Sequence, residues 1–255
     1  MFTPQGPSLR ELTVQALSSV EHGYDLLANK FDATPFRTSE RLLTAVTHTL
    51  DTLGPFDSGL DVCCGTGAGL GVLRSVCAGP ITGVDFSTGM LSRAREAHPT
   101  AGLVRADALA LPFAPVFDLA VSFGAFGHFL PDEQRTLFAQ VHASLRPGGT
   151  FAFPIGAPPP VGSRLYWILW GFDATMRVRN AVWRPPFVMY YRTFRLGDVR
   201  ARLEDAGFEV RFLSVDALGT REDGSPRCRL VVARKNEDPP PGFAAPGDAS
   251  RFRPS

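Results

Sequence analysis

From about residue 59 the chain alternates short apolar runs with longer stretches in which apolar residues return every three or four positions. Runs of the first kind predict strands at Gly59–Cys64, Ile81–Asp85, Gly102–Ala106, Phe117–Phe123 and Thr150–Ile155. The second kind predicts helices at Leu70–Cys77, Thr88–Ala97 and Asp132–Leu145, the last burying Leu137, Val141 and Leu145. Strands joined through helices imply right-handed crossovers, hence a parallel sheet covered on both faces. The tetrapeptide Arg146–Gly149 reads as a turn into the fifth strand. Two further runs, Phe208–Ala217 and Cys228–Arg234, flank the turn-rich GTREDGSP and predict an antiparallel hairpin at one side of the sheet. The fold class is therefore α/β, with seven mostly parallel strands.

Three segments lie outside that alternation. Ser8 to about Phe31 reads as a helix: Ser8 and Glu11 have capping-box spacing, and Leu9, Leu12, Ala16 and Val20 recur helically. A second helix follows Pro35 and carries Leu42, Leu43, Val46, Leu50 and Leu53, so residues 8–54 form an N-terminal helical cap. Residues 158–194 form an insertion rich in rings: Tyr166, Trp167, Trp170, Phe172, Trp183, Phe187, Tyr190, Tyr191 and Phe194. Long structureless connections tend to be functional lids, and this one is expected to be a lid that shapes substrate specificity, with core packing of some of its rings as the competing reading. Residues 236–255 are dense in Pro and small polar residues and are expected to be a disordered tail behind a single domain, residues 1–235.

At 255 residues the length suits one such domain. Lys and Arg number 26 against 25 for Asp and Glu, so no basic field favours a nucleic-acid partner. The opening MFTPQGPSLRELT has no basic stretch followed by an apolar run, and no stretch approaches the roughly 18 apolar residues that span a bilayer. Cys63, Cys64, Cys77 and Cys228 make no CxxC pair. We expect reduced thiols in a cytoplasmic protein, with no metal site.

The strongest chemical signal is LDVCCGTGAGLG, Leu60–Gly71, where the first strand runs through Gly65, Gly67 and Gly69 into a helix. Glycines there permit a tight turn and close approach of a ligand to the backbone. The spacing is GxGxG, not the GxGxxG of dinucleotide sites, and no GK[ST] follows, so pyrophosphate is not the favoured ligand. Asp85 ends the second strand 20 positions beyond Gly65. It either caps the next helix or accepts from both hydroxyls of a ribose, and its strand-end position favours ribose. Asp107, after the third strand, is by itself a plain loop aspartate; the alternative is that it accepts from an exocyclic amine while the backbone beside Ala108 reads the ring.

Taken in order, LDVCCGTG, GVDFS, RADALALPF, FDLAVSFGAFGHF and LRPGGTFAF resemble the motifs of class I S-adenosylmethionine-dependent methyltransferases, chiefly the ubiquinone/menaquinone-biosynthesis type and related small-molecule enzymes. The resemblance implies a Rossmann-like fold, S-adenosylmethionine as cofactor and S-adenosylhomocysteine as product. It implies that Gly65 and Gly67 lie under the amino-acid part of the cofactor, with Asp61, Cys63 and Thr66 beside them. It sets Asp85 on the ribose, Phe86 and Met90 against adenine, Ala106, Asp107 and Ala108 around the adenine amine, and Ser122 and Phe123 near the sulfonium. YDLLANKFD, Tyr24–Asp32, is similar to the YDxxAxxYD helix that covers the cofactor, with Phe31 in place of the second tyrosine. Arg37 is a candidate for the methionine carboxylate, and a plain surface arginine is the competing reading.

For the acceptor, His128 is the best base candidate, since it follows the fourth strand on the ligand-binding side of the sheet. A histidine that shapes the pocket through backbone hydrogen bonds is the alternative. Tyr190 and Tyr191 are the candidates from the lid. The expected reaction is methyl transfer to a small aromatic or apolar molecule, O-methylation before C- or N-methylation. A cofactor-binding protein without methyl transfer is the second reading. A third is a lipid or quinone-precursor enzyme at a membrane surface, suggested by Trp167 and Trp170 among Arg164, Arg177, Arg179 and Arg184. A DNA amino-methyltransferase is opposed by SFGAF where a [DN]PP[YF] turn belongs, and an NAD oxidoreductase by the missing GxGxxG.

Overall fold

A computed structural model describes residues 6–34, 37–185, 187–190 and 195–237. Its sheet has seven strands: β1 (Gly59–Val62), β2 (Ile81–Asp85), β3 (Gly102–Arg105), β4 (Phe117–Val121), β5 (Leu145–Gly156), β6 (Phe208–Ser214) and β7 (Cys228–Lys235). The strand order is β3-β2-β1-β4-β5-β7-β6. All neighbours are parallel except β7, which runs antiparallel to both β5 and β6. The chain builds outward from β1 through β2 and β3, then crosses to β4 on the other side. The crevice at the carboxyl ends of β1 and β4 is therefore the topological switch point, where ligands bind in this architecture.

Helices cover both faces: α1 (Leu9–Leu17), α2 (Val20–Leu27), α3 (Glu40–Asp51), α4 (Ala68–Val76), α5 (Thr88–Ala97), α6 (Glu133–Ser144), α7 (Arg164–Val182) and α8 (Leu196–Asp205). Strand alternation sorts the core into two layers. Leu60, Val62, Ala120, Phe151 and Phe153 join Leu137, Phe138 and Val141 of α6 and Leu203 of α8 on one face. Leu119, Val121 and Ala152 join Leu43, Val46 and Leu50 of α3 and Leu70 and Leu73 of α4 on the other. Phe138, Phe151 and Phe153 are fully buried, and each contributes about 1.5–3 kcal/mol through removal from water.

Several expected boundaries move for local reasons. The expected N-terminal helix is two: the Ser8 capping box forms, but the chain breaks at Ser18 and Ser19, where Ser19 caps α2 by accepting from the His22 amide. A 3-10 turn, Ala28–Ala33, continues α2. β1 stops at Val62 because Cys63 takes φ +57°. Arg146–Gly149 lies within β5 as an irregularity against β4, held by Arg146 on Asp118 at 2.9 Å. The insertion is not structureless, since half of it is the 19-residue α7, capped by Ser163. α8 was not expected from sequence, although Val199 and Leu203 repeat helically and are buried. Tyr191, Phe194 and the tail beyond Glu237 lie outside the described residues.

Candidate active site

A cavity of about 780 Å³ opens at the carboxyl ends of β1, β2 and β4. Its floor is the glycine turn between β1 and α4. Gly65 has φ +52°, and a Cβ added there would meet no protein atom within 4 Å, so the space above it is the cavity itself. Asp85, almost wholly buried at the end of β2, ties that turn to the next loop. One carboxylate oxygen accepts from the Gly65 amide and the other from the Ser87 amide, each at 2.9 Å. Burial raises its pKa, with the backbone hydrogen bonds opposing. Each oxygen keeps a lone pair for a ligand hydroxyl. The helix cap is real as well, but Ser87 Oγ makes it, by accepting from the Met90 amide.

Asp61 ends inside the first turn of α4. A Cβ on Gly69 would come within 2.5 Å of both its carboxylate oxygens, so glycine is required for the close approach. One oxygen, Oδ2, is buried without a hydrogen-bond partner in the structure, and burial followed by the charge of Asp85 pushes the pKa well up. An orphaned buried carboxylate oxygen on a cavity wall calls for a donor, and an ammonium satisfies both hydrogen bonding and charge. Phe86 and the buried Met90 give that cavity an apolar wall, and Asp107 is exposed at its rim, accepting from the Leu109 amide at 2.9 Å.

The N-terminal cap closes over this floor through two aspartates. Asp25 accepts from Ser87 Oγ at 2.6 Å and the Gly89 amide at 2.8 Å, pinning α2 to the start of α5. Asp32 accepts from Thr66 Oγ1 at 2.8 Å. Tyr24 is thereby turned into the cavity, with Phe31 packed at 6.1 Å between ring centroids. Its hydroxyl lies 2.7 Å from His128 Nε2, and His128 Nδ1 lies 2.7 Å from the Val188 carbonyl. A carbonyl can only accept, so Nδ1 carries the hydrogen and Nε2 accepts from Tyr24. Burial lowers the His128 pKa, against the opposing backbone hydrogen bond, and keeps the ring neutral at pH 7.

Of the sequence candidates, Tyr24, Arg37, Asp61, Cys63, Gly65, Thr66, Asp85, Phe86, Met90, Asp107, Ala108, Phe123 and His128 line this cavity. Four do not. Gly67 (φ +99°) faces His98, which a Cβ would strike at 2.6 Å. Ser122 is buried, its Oγ donating to the Val62 carbonyl at 2.8 Å across β1 and β4. Ala106 packs against the core, its amide donating to the Asp85 carbonyl. Tyr190 is turned away: its hydroxyl accepts from Asn180 Nδ2, and Arg177 stacks on its ring. Arg37 is half-exposed and paired with Glu40. Val188 and Met189 line the cavity from the insertion and were not singled out from sequence, where they read as ordinary apolar residues. Among the described residues no group of three or more His, Cys, Asp or Glu is arranged to hold a metal ion, and no helix is long and apolar enough to cross a membrane.

Residues 60–149 match the family profile of a methyltransferase domain. An O-methyltransferase from Penicillium expansum is 30% identical over 186 residues, 69% of this chain and 59% of that protein. A tRNA (carboxymethyluridine(34)-5-O)-methyltransferase from Saccharomyces cerevisiae is 37% identical over 106 residues, 41% of this chain and 37% of that protein. The chain thus spans less than two thirds of either relative. A SAM-dependent methyltransferase structure from Methanosarcina mazei shares the fold, with a TM-score of 0.56 at 20% identity over 76% of this chain and 98% of that one.

Proposed function

We propose that this chain, which carries a methyltransferase domain of the class I S-adenosylmethionine-dependent kind, methylates a hydroxyl of a small aromatic or apolar acceptor. The observation that carries the reading is the meeting, in one cavity, of a cofactor cradle (Gly65, Asp61 and Asp85) with a hydrogen-bonded Tyr24–His128 pair. The residues fit the cofactor. Asp85 has lone pairs for the ribose hydroxyls, the partnerless Asp61 oxygen suits the α-ammonium, and Phe86 and Met90 offer an apolar slot for adenine.

Bound S-adenosylmethionine would supply a methyl group on a sulfonium, already activated toward a nucleophile. What remains for the protein is alignment and a proton. The acceptor oxygen gains the methyl and must lose its hydrogen. His128 Nε2, a neutral lone pair held in place by the Val188 carbonyl, takes the Tyr24 proton, while the Tyr24 oxygen takes the proton of the acceptor. The apolar wall of Phe31, Phe123, Val188 and Met189 excludes water from that exchange. A pocket this apolar, with near-neutral net charge, favours a small molecule over nucleic acid.

The test has two stages. Calorimetric titration with S-adenosylmethionine, S-adenosylhomocysteine and NAD should give binding of the first two alone. A panel of phenols and alcohols, with a tRNA pool as a separate arm, should then release S-adenosylhomocysteine from a small hydroxyl compound. His128→Ala should lower that turnover at least a hundredfold; activity within a few fold of the parent would remove His128 from the chemistry. Cofactor binding without turnover on any arm would leave a binding protein and sink the methyl-transfer reading.

A further inference from the structure

The insertion has an outward side that the cavity does not use. α7 packs inward through Asp173 and Met176, which meets Phe187 and Tyr190. The opposite face carries Arg164, Ile168, Gly171, Thr175, Val178 and Val182, at intervals of three and four, with Trp167 beside Ile168. All three tryptophans of the chain are in this segment: Trp167 is 57% exposed, Trp170 49% and Trp183 50%, with Val182 at 78%. Trp167, Ile168, Val178 and Val182 share the outward face, Trp170 lies off it toward Asp173, and Trp183 ends the helix as its C-cap. Exposed large apolar side chains gathered on one element mark a docking surface. Trp183 donates its indole N–H to the Leu17 carbonyl at 3.2 Å, so half-exposed Leu17 of α1 adjoins the C-terminal end of the helix.

Charge identifies the occupant. From Ala157 to Arg195 the sequence has arginines at 164, 177, 179, 184, 192 and 195 and a single acid, Asp173. Asp173 is buried under the helix, Arg164 and Arg184 are exposed, and Arg177 lies over the Tyr190 ring on the inward side. Pairing with a second copy by a two-fold axis across α7 would bring the arginine-bearing ends of two like-charged faces together. An anionic surface meets no such repulsion. Exposed tryptophans flanked by arginines are the chemistry of a segment resting on anionic lipid headgroups. We infer that the outward face of α7 docks the protein on an anionic lipid surface. Behind α7, Val188, Met189 and Val20 pack against Met176, Phe187 and Tyr190 and also line the cavity. Docking therefore sets the acceptor pocket one side-chain layer from the bilayer, where an apolar hydroxyl compound partitions.

Co-sedimentation of the full chain with vesicles of phosphatidylcholine alone, and of phosphatidylcholine with phosphatidylglycerol, tests this at low and at physiological salt. Binding to the anionic vesicles should exceed binding to neutral ones, with a blue shift of tryptophan emission, since all the emitting rings lie in this segment. Arg164→Glu with Arg184→Glu should weaken partitioning by about fivefold or more per arginine. Trp167→Ser with Trp170→Ser should abolish it, while circular dichroism and S-adenosylhomocysteine binding stay unchanged, because the side chains replaced are exposed. No vesicle binding at low salt overturns the inference. Equal binding to neutral and anionic vesicles overturns its electrostatic basis. A dimer by light scattering that the tryptophan substitutions dissolve, without vesicle binding, assigns the face to a second copy instead. None of these readouts depends on methyl transfer.

Discussion

Replacing Gly65 with alanine is expected to separate folding from cofactor binding. The residue sits at φ +52°, in the left-handed region where alanine costs about 1–2 kcal/mol. No further steric cost arises in the free protein, because the added methyl would meet nothing within 4 Å. In a domain of this size each 1 kcal/mol lowers the melting temperature by roughly 2–4 °C, so Tm should fall by about 2–8 °C. The methyl would enter the cavity beside Asp85, where the proposed cradle sets the cofactor against the backbone. Overfilling a closely packed site costs about 1–3 kcal/mol, equivalent to roughly five- to 150-fold weaker binding. Calorimetric titration with S-adenosylhomocysteine, alongside a melting curve, reads both quantities. Gly224→Ala is the matched control: φ is +78°, a Cβ there also meets nothing within 4 Å, and the residue lies in the connection before β7, away from the cavity. It should melt lower by a similar margin and bind normally. Affinity within threefold of the parent in Gly65→Ala would mean that the glycine turn is not the cradle. Asp85→Ala is the poorer probe, since it strands the Gly65 and Ser87 amides, at about 1–3 kcal/mol each.

Tyr24→Phe should lower turnover of a hydroxyl acceptor about a hundredfold while S-adenosylhomocysteine affinity changes by less than a few fold; a change confined to KM would make Tyr24 a binding residue only. Because burial holds the His128 pKa below its ordinary 6.5, the base form is complete above neutrality and is lost as pH falls through the lowered value. The pH–rate profile should therefore be flat above pH 7 with an acid limb below 6.5, and a limb centred above 6.5 would exclude His128 as its source. Asp25→Ala removes the acceptor of Ser87 Oγ and the Gly89 amide, which should cost about 1–3 kcal/mol in urea denaturation and loosen cofactor binding with it. His142, lowered to about 4 by burial and then by Lys235, takes up its proton in the unfolded chain before the folded one. Stability is full above pH 6.5 and declines between 6.5 and about 4, and His142→Gln should flatten that decline in denaturant titrations at pH 7 and 5.

What could be read from the sequence follows how local each determinant is. β2 and α5 fall at the expected residues because Asp85, Ser87 and the helical spacing act within one turn of each other. α8 was equally local and was missed despite Val199 and Leu203. The two-helix break was also signalled, by adjacent serines that favour caps over helix interiors. Arg146–Gly149 is different: its residues favour a turn, and contacts from distant positions, Arg146 with Asp118 and Arg234 with the Gly148 carbonyl, hold them in β5. Among site residues, the motifs pointed to the carboxyl end of the sheet, where the cavity opens, but not to which neighbours face it. Gly67 and Ser122 sit one or two positions from cavity-lining residues and turn to His98 and to the Val62 carbonyl instead.

The same distinction divides the active site in two. The cradle comes from residues 61–69 and 85–90, close to their own strand ends, so a short motif carries it. The proton-handling half has no such motif. Tyr24 and His128 are 104 positions apart, and His128 and Val188 another 60, joined because Asp25 and Asp32 pin the cap over the cavity and the insertion brings the Val188 carbonyl to the ring. Cofactor binding can therefore survive changes that separate the cap from the insertion, whereas the tautomer and orientation of His128 cannot. Losing the Val188 carbonyl would free Nδ1 to accept and Nε2 to donate, the reverse of what the acceptor's proton requires. On the proposed reading, specificity and chemistry are coupled through one segment, since Val188 and Met189 line the cavity and the Val188 carbonyl holds His128 in register.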